Sequence, residues 1–219
     1  MNSDWELIFT LMAQARQTGE ATLPAISTIA QENQDPFRVL ISTLISLRTK
    51  DAVTMAASRR LFALADSPAT MLTLAPETIE QAIYPAGFYR IKTKNILKIS
   101  QILLESYHGE VPSQKEALLK LPGVGTKTAN LTLNLGFGID AICVDTHVHR
   151  IANRMGWVAT KKPEETEIAL EKIMPQRYWI PLNELLVTYG QQICKPISPL
   201  CSQCTVYSFC KRVGVTRSR

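Results

Sequence analysis

Four cysteines lie close together near the C-terminal end of this 219-residue chain, at Cys194, Cys201, Cys204 and Cys210. Side chains that must meet at one centre restrict how a chain can fold. Disulfides are one reading of this pattern, but cytosolic proteins keep their thiols reduced. The N-terminal residues MNSDWELIF carry acids and no basic segment, so we expect no secretory signal. The spacing C-x6-C-x2-C-x5-C therefore predicts a metal centre.

Zinc and iron both remain open as the metal. Zinc loops usually pair two C-x2–4-C hooks, whereas this stretch has one C-x2-C between longer arms. A [4Fe–4S] cluster offers four separate iron corners and tolerates uneven spacing, so the pattern modestly favours iron–sulfur. The fifth cysteine, Cys143, lies in an apolar run and is expected to fill a core position.

A glycine corner, LPGVG, precedes this cysteine stretch in the chain. Gly123 and Gly125 flank Val124, and a helix-forming run begins at Thr126 and includes Thr128. Glycine permits a positive φ and the close approach of a ligand to backbone N–H groups. A helix N-terminus adds unpaired donors and partial positive charge. The corner therefore predicts a phosphate-binding turn, although ordinary helix–turn–helix corners also use glycine.

Ionisable side chains follow the glycine corner. Lys127 lies just inside the predicted helix, and Asp145 follows the next turn, with His147 and Arg150 close behind. An amine and a carboxylate brought together at such a corner form a nucleophile with an electrostatic partner. The alternative is that Lys127 only clamps a phosphate. His147 and His149 are two residues apart, so they face different sides of a helix and make a poor metal pair.

Charge is distributed unevenly along the chain. Lys and Arg number 24 against 19 Asp and Glu, and residues 81–104 and 194–219 contain no acid at all. The basic residues of the first stretch are Arg90, Lys92, Lys94 and Lys98. Basic stretches of this kind suit a polyanion, but a solvated helix face explains the first one equally well. No apolar run of about 18 residues occurs, so we expect no membrane span.

Prolines and capping residues divide the chain into helices, and little of it looks like strand. Asp35-Pro36 predicts a cap followed by a largely buried helix that continues to Leu47. Ser3 followed by Glu6 predicts a capping box for the first helix. We therefore expect an all-α protein.

Together, LPGVGTKTAN, VDTHVHR and the cysteine spacing resemble the endonuclease III family of helix-hairpin-helix DNA glycosylases, over nearly the whole chain. The resemblance implies two helical domains with a DNA cleft between them. Residues 25–138 would form a six-helix domain with the helix-hairpin-helix, and residues 1–24 and 139–219 an iron–sulfur domain. It further implies a [4Fe–4S] cluster on the four cysteines, with Lys127 as the catalytic lysine and Asp145 as the catalytic aspartate.

The resemblance also predicts residues that contact DNA. Arg48 stands where many relatives have a glutamine that fills the hole left by a flipped nucleotide, which puts the opposite-base preference in doubt. Phe88 falls where relatives place an apolar wedge between bases, or it is a core residue at a turn. The predicted DNA-contacting residues are Arg48, Phe88, Gly123, Val124, Gly125, Thr126, Thr128, His147 and Arg150.

The implied function is a bifunctional DNA glycosylase and abasic-site lyase of base excision repair. It would remove oxidised pyrimidines from double-stranded DNA, and we expect a cytoplasmic monomer. One alternative is a monofunctional mismatch glycosylase, but those relatives tend to carry tyrosine or serine in place of Lys127. The others are a DNA-binding module without catalysis and a small electron-transfer protein in which the cluster itself is the working site.

Overall fold

The structure, a computed structural model, describes residues 4–17 and 23–219. These residues are largely helical and contain no β-strand, which confirms the all-α prediction. None of the helices in the described ranges is long and apolar enough to cross a bilayer. Ser3, which belongs to the predicted capping box, lies outside the described residues.

Twelve α-helices occur in the part of the chain that the structure describes. In chain order they are α1 (Trp5–Gln17), α2 (Ala25–Glu32), α3 (Pro36–Ser46), α4 (Asp51–Leu64), α5 (Pro68–Met71), α6 (Pro76–Ile83), α7 (Tyr89–Tyr107), α8 (Lys115–Leu118), α9 (Thr126–Thr132), α10 (Thr146–Met155), α11 (Pro163–Glu171) and α12 (Trp179–Gln192).

The chain divides into two compact units. The first, termed the hairpin unit, is Ala25–Ala141 and contains α2 to α9. The second, termed the cysteine unit, combines the N-terminal residues up to Pro24 with Ile142–Arg219 and contains α1 and α10 to α12.

Helix α3 lies at the centre of the core of the hairpin unit. Asp35 caps its start, because the Oδ1 atom accepts hydrogen bonds from the backbone N–H groups of Phe37 at 2.7 Å and Arg38 at 3.1 Å. Apolar residues cover several faces of α3, so it runs through the core rather than over a surface. Leu40 and Ile45, for example, are fully buried in a core that also contains residues of α4, α6 and α7. Burying each such side chain stabilises the fold by about 1.5–3 kcal/mol.

The end of the hairpin unit has an unusual turn. A π-helical turn, Leu133–Phe137, continues α9 and ends at Gly138, whose φ of 68° suits glycine. The side chain of Asn134 then pairs with both backbone groups of Ala141, at 2.9 Å and 3.0 Å. These two hydrogen bonds satisfy a buried backbone segment that belongs to no helix.

The cysteine unit has its own apolar core, built from α1, α10 and α12. Trp5, Val148 and Leu186 are among its buried members, and Cys143 is fully buried, as predicted. After α12 the chain contains only two short 3-10 turns, Cys201–Gln203 and Tyr207–Phe209. This last segment carries the four clustered cysteines.

Candidate nucleic-acid interface and cysteine centre

The two glycines of the LPGVG corner have different structural roles. Gly123 has a φ of 78°, and a Cβ atom there would collide with the side-chain amide of Asn95 on α7. Gly125 has an extended backbone and is exposed, and no atom lies within 4 Å of where its Cβ would be. Val124 lies between the two glycines in the chain and is 7% exposed, because its side chain packs into the core of the hairpin unit. Gly123 therefore makes the turn, while Gly125 leaves the backbone open to a ligand.

Lys127 is the second residue of α9, immediately after this corner, and is half-buried. The backbone N–H groups in the first turn of a helix have no partner four residues earlier within the helix. Thr126 is half-buried as well, but Thr128 is 1% exposed and its side chain faces the interior. For Thr128 and Val124, the predicted DNA contact is therefore restricted to backbone atoms.

Asp145 caps helix α10 in the cysteine unit. Its Oδ1 atom accepts hydrogen bonds from the backbone N–H groups of His147 at 2.8 Å and Val148 at 2.9 Å. The partial positive charge at a helix N-terminus stabilises a carboxylate held in this way. The carboxylate is half-buried and fixed in orientation.

His147 and Arg150 are engaged within the cysteine unit. The Arg150 guanidinium donates from Nη2 to the carbonyl oxygens of Gly190 at 3.2 Å and Cys194 at 2.9 Å, and lies 3.1 Å from Nδ1 of His147. A Cβ atom at Gly190 would lie only 2.5 Å from that histidine nitrogen, so any other residue there would have to displace the His147 ring. Burial lowers the pKa of Arg150. These contacts favour a bracing role over the predicted DNA contact.

The four cysteines of the C-terminal segment line one cavity. Its other walls are mostly apolar and include Met12, Ile151 and Val206. Burial raises the pKa of the Cys210 thiol, and the proximity of the other three cysteines raises it further. Within the described residues, no three His, Cys, Asp or Glu side chains converge closely enough to hold a single metal ion.

Polar groups contact three of the four sulfur atoms. Arg154 donates from Nη1 to Sγ of Cys194 at 3.4 Å, the hydroxyl of Tyr189 lies 3.2 Å from Sγ of Cys204, and the N–H of Arg212 donates to Sγ of Cys210 at 3.4 Å. Arg154 also donates to the carbonyl oxygens of Lys195 at 2.7 Å and Pro196 at 2.8 Å. Hydrogen bonds to sulfur are a recurrent feature of iron–sulfur and other metal centres.

Arg48 and Phe88 lie in two turns of the hairpin unit and contact each other. Phe88 is 58% exposed, and the guanidinium carbon of Arg48 lies 5.5 Å from the centroid of its ring. This cation–π contact joins side chains 40 positions apart in the sequence. The exposure of Phe88 argues against its alternative role as a core residue. Sequence reasoning identified each residue separately and missed their contact.

Lys92 was predicted to belong to a basic surface, and this was wrong. It is 6% exposed, and its ammonium group donates to the carbonyl oxygens of Ile45 and Leu47, both at 2.7 Å, and to the hydroxyl of Thr49 at 2.9 Å. A signal was present in the sequence, because Lys92 lies four residues before Ile96 and so shares the apolar face of α7. The exposed basic residues of this stretch are Arg90, Lys94 and Lys98.

A protein-family model described as HhH-GPD superfamily base excision DNA repair protein matches residues 41–176. The chain is 51% identical over 177 residues to endonuclease III of Thermotoga maritima, in an alignment that covers 81% of this chain and 83% of that protein. It is 39% identical over 221 residues to endonuclease III homolog 2, chloroplastic, of Arabidopsis thaliana, covering 94% of this chain but only 57% of the plant protein.

Among solved structures, the chain is similar to a trapped endonuclease III–DNA covalent intermediate in an estranged-adenine complex. The TM-score is 0.83 at 32% sequence identity, and the match covers 97% of each chain.

Proposed function

The chain belongs to the HhH-GPD superfamily of base excision DNA repair proteins, and we propose that it is a bifunctional DNA glycosylase and abasic-site lyase for oxidised pyrimidines in duplex DNA. The observation that carries this proposal is the placement of Lys127 directly after an open glycine corner, as the second residue of α9. Base excision by a DNA glycosylase is the activity of this family. The lyase step and the lesion class are the finer part of the proposal.

Lys127 supplies the nucleophile. A damaged base is out of reach inside the stack, so its nucleotide must first leave the duplex, which costs a few kcal/mol. The neutral amine attacks C1′ of the deoxyribose and the base leaves with a proton. The sugar ring opens to a Schiff base on Nζ, which acidifies the C2′ proton. Loss of that proton expels the 3′ phosphate by β-elimination, and hydrolysis of the imine restores the amine.

Asp145 supplies a fixed negative charge. We propose that its carboxylate stabilises the positive charge that develops on the sugar as the glycosidic bond breaks, and that it assists proton transfer. The N-cap hydrogen bonds at 2.8 Å and 2.9 Å hold it in one orientation, so little reorganisation is needed during the reaction.

The glycine corner and the Arg48–Phe88 pair are the proposed DNA contacts. Open backbone at Gly125 allows a phosphate oxygen to approach main-chain N–H groups. An exposed aromatic ring such as Phe88 suits insertion between bases. Arg48 is long enough to reach the base left without a partner and can donate to it. Because most contacts would go to phosphates, the affinity for DNA should fall steeply with salt. We propose that the chain acts as a cytoplasmic monomer.

The four clustered cysteines are the proposed ligands of a [4Fe–4S] cluster. They line one cavity with mostly apolar walls, and three of their sulfurs already have polar partners. A single zinc ion would need all four sulfurs at about 2.3 Å from one point, whereas each iron of a cluster needs one thiolate. The spread of these thiols around a cavity therefore fits the cluster better. The four thiolates would hold the cluster, and through it Cys194, just after α12, would be joined to the rest of the C-terminal segment.

Borohydride trapping tests the lysine chemistry. Reduction of the Schiff base should join the wild-type protein covalently to duplex DNA that contains thymine glycol or an abasic site. Lys127→Ala should bind the same duplex without forming the adduct, since it has no amine at that position. The matched control is Lys120→Ala, an exposed lysine seven residues earlier, which should still form the adduct.

Two outcomes of the trapping experiment would contradict the assignment of Lys127 as the nucleophile. A folded wild type that forms no adduct on any of these duplexes is not a lyase that uses this lysine. An adduct that persists in Lys127→Ala would move the nucleophile to another amine. Iron and acid-labile sulfide measured on the purified protein decide separately between iron–sulfur and zinc.

A further inference from the structure

Two turns of the hairpin unit share an uncommon backbone geometry. Arg48 has a φ of 54° and Phe88 a φ of 57°, and neither is glycine. A residue with a side chain in this left-handed region costs about 1–2 kcal/mol, so it persists only where surrounding contacts hold it. Arg48 follows α3 and Phe88 precedes α7. Both turns present a long side chain to the surface.

The buried Lys92 ammonium connects the two turns. Its three protons are matched by three oxygen acceptors, two of them carbonyls at the C-terminal end of α3 and the third the hydroxyl of Thr49. That hydroxyl in turn accepts a hydrogen bond from the backbone N–H of Gly87 at 3.1 Å. Thr49 is the neighbour of Arg48, and Gly87 is the neighbour of Phe88. A short chain of hydrogen bonds therefore runs from α7 through one turn to the other.

Packing adds a second connection between the same turns. A Cβ atom at Gly87 would lie 2.6 Å from the carbonyl oxygen of Arg48, so the two backbones touch there and only glycine is tolerated. The Arg48 guanidinium stacks over the Phe88 ring on the outer side. The backbone N–H of Lys92 also donates to the carbonyl oxygen of Phe88 at 3.1 Å.

We propose that Lys92 is a positioning residue that makes the Arg48 and Phe88 turns one rigid probe, so that both side chains enter the DNA duplex together. This inference rests on the proposed function and names a further residue for it. Lys92 does not itself contact DNA, because its ammonium is buried on protein oxygens. Burial lowers the pKa of Lys92 to about 8, so the group is still mainly charged at neutral pH.

A rigid probe has a specific consequence for the substrate. In the proposed function Phe88 separates the bases while Arg48 occupies the vacated space, and a shared rigid support lets both side chains act at the same step. Loosening the link between the turns should therefore impair work on duplex DNA far more than work on a single strand. It should also weaken discrimination among bases opposite the lesion, since Arg48 would no longer be held against Phe88.

Four variants test the link. Lys92→Met removes the ammonium, and Thr49→Val removes the hydroxyl that joins the two turns. Thr49→Ser keeps that hydroxyl and is the conservative rescue. Lys172→Met is the matched control, because it makes the same substitution at an exposed lysine, at the C-terminal end of α11.

Three quantities are measured for each variant. The first is the ratio of kcat/KM for thymine-glycol excision from duplex DNA to that for cleavage of an abasic site in a single strand. The second is the spread of duplex rates with each of the four bases opposite the lesion. The third is the fluorescence increase of 2-aminopurine placed opposite the lesion, which reports unstacking on binding.

The expected result is a duplex-to-single-strand ratio at least tenfold lower in Lys92→Met and Thr49→Val, with a smaller fluorescence increase and a narrower spread among opposite bases. Thr49→Ser and Lys172→Met should stay within twofold of the wild type. Equal losses on duplex and single strand, or no difference between Thr49→Val and Thr49→Ser, would overturn the proposal. If Lys92→Met does not fold, by circular dichroism, the Thr49 pair decides.

Failure of the proposed function has a different signature. A wild type that acts on neither substrate contradicts the glycosylase–lyase proposal. In that case the 2-aminopurine signal of the Thr49 pair still decides whether the two turns act together on bound duplex.

Discussion

The hairpin unit and the cysteine unit hold their functional side chains by different means. In the hairpin unit, the turns pack on a continuous apolar core around α3. Buried polar groups such as the Lys92 ammonium hold them in place by hydrogen bonds to backbone carbonyl oxygens. In the cysteine unit, the segment after α12 has only short 3-10 turns, and arginines on α10 tether it by hydrogen bonds to its carbonyl oxygens. Packing therefore specifies the first set of turns, whereas the second depends on polar tethers and on the proposed cluster.

Loss of one clustered cysteine should have the largest effect and should be confined to the cysteine unit. Structural metal sites contribute on the order of 10 kcal/mol to folding, so Cys204→Ser should lose iron and expose the segment after α12 to proteases. Limited proteolysis with mass spectrometry should find new cuts after residue 193 and an intact Ala25–Ala141 unit. Cys143→Ala is the control. That cysteine is buried in the core and is not a proposed ligand, so the variant protein should retain its iron. Cuts that begin within the hairpin unit would contradict the comparison.

Each unit has an aspartate that caps a helix, and the same substitution at both distinguishes the capping role from a catalytic role. Asp145 and Asp35 cap α10 and α3 in the same way, through Oδ1 and two backbone N–H groups. Asparagine caps about as well as aspartate, so neither Asp→Asn change should alter the melting temperature much. Asp145→Asn should nevertheless slow single-turnover excision by about 10²–10⁴-fold, because the negative charge is gone. Asp35→Asn should not. Equal rates in the two variants would remove Asp145 from the mechanism.

The two glycines of the LPGVG corner should respond in opposite ways to the same change. Gly123→Ala should destabilise the protein by about 2–4 kcal/mol, because it adds a strained φ and a collision with Asn95. Gly125→Ala should unfold like the wild type and lose affinity for DNA, since its Cβ would occupy only the open space in front of the backbone. Urea denaturation and fluorescence anisotropy with a labelled duplex measure the two effects. A stable Gly123→Ala would show that packing does not determine this turn.

Titration of Lys92 should produce the smallest effect. The folded protein releases this proton near pH 8, whereas the unfolded chain keeps it until about pH 10.5, so the unfolded state binds more protons between these values. The wild type should therefore gain stability relative to Lys92→Met as the pH rises from 8 to 10.5, by roughly 1–3 kcal/mol. Urea denaturation of both proteins across this range measures the difference. If the difference in unfolding free energy between the two proteins does not change with pH, burial does not lower the pKa of Lys92.

Local sequence signals predicted the helices and the candidate chemistry well, because these depend on neighbours in the chain. Asp35-Pro36 marks the start of α3 through capping geometry that spans only four residues, 35–38. The crowding of the cysteines into one cavity follows from their short separation. Lys92 was misjudged for the opposite reason, since a run of basic residues suggested a surface while its acceptors lie more than 40 residues away.

The sequence alone determined an all-helical chain, a glycine corner that introduces Lys127, and a cluster of thiols suited to a metal centre, because each arises from residues that are close together in the chain. Only the tertiary structure decided which charged side chains face inward. It committed Arg150 to the carbonyls after α12, buried Lys92 beneath two turns, and stacked Arg48 on Phe88. Those outcomes depend on oxygens and rings that reach the same place only when distant helices pack.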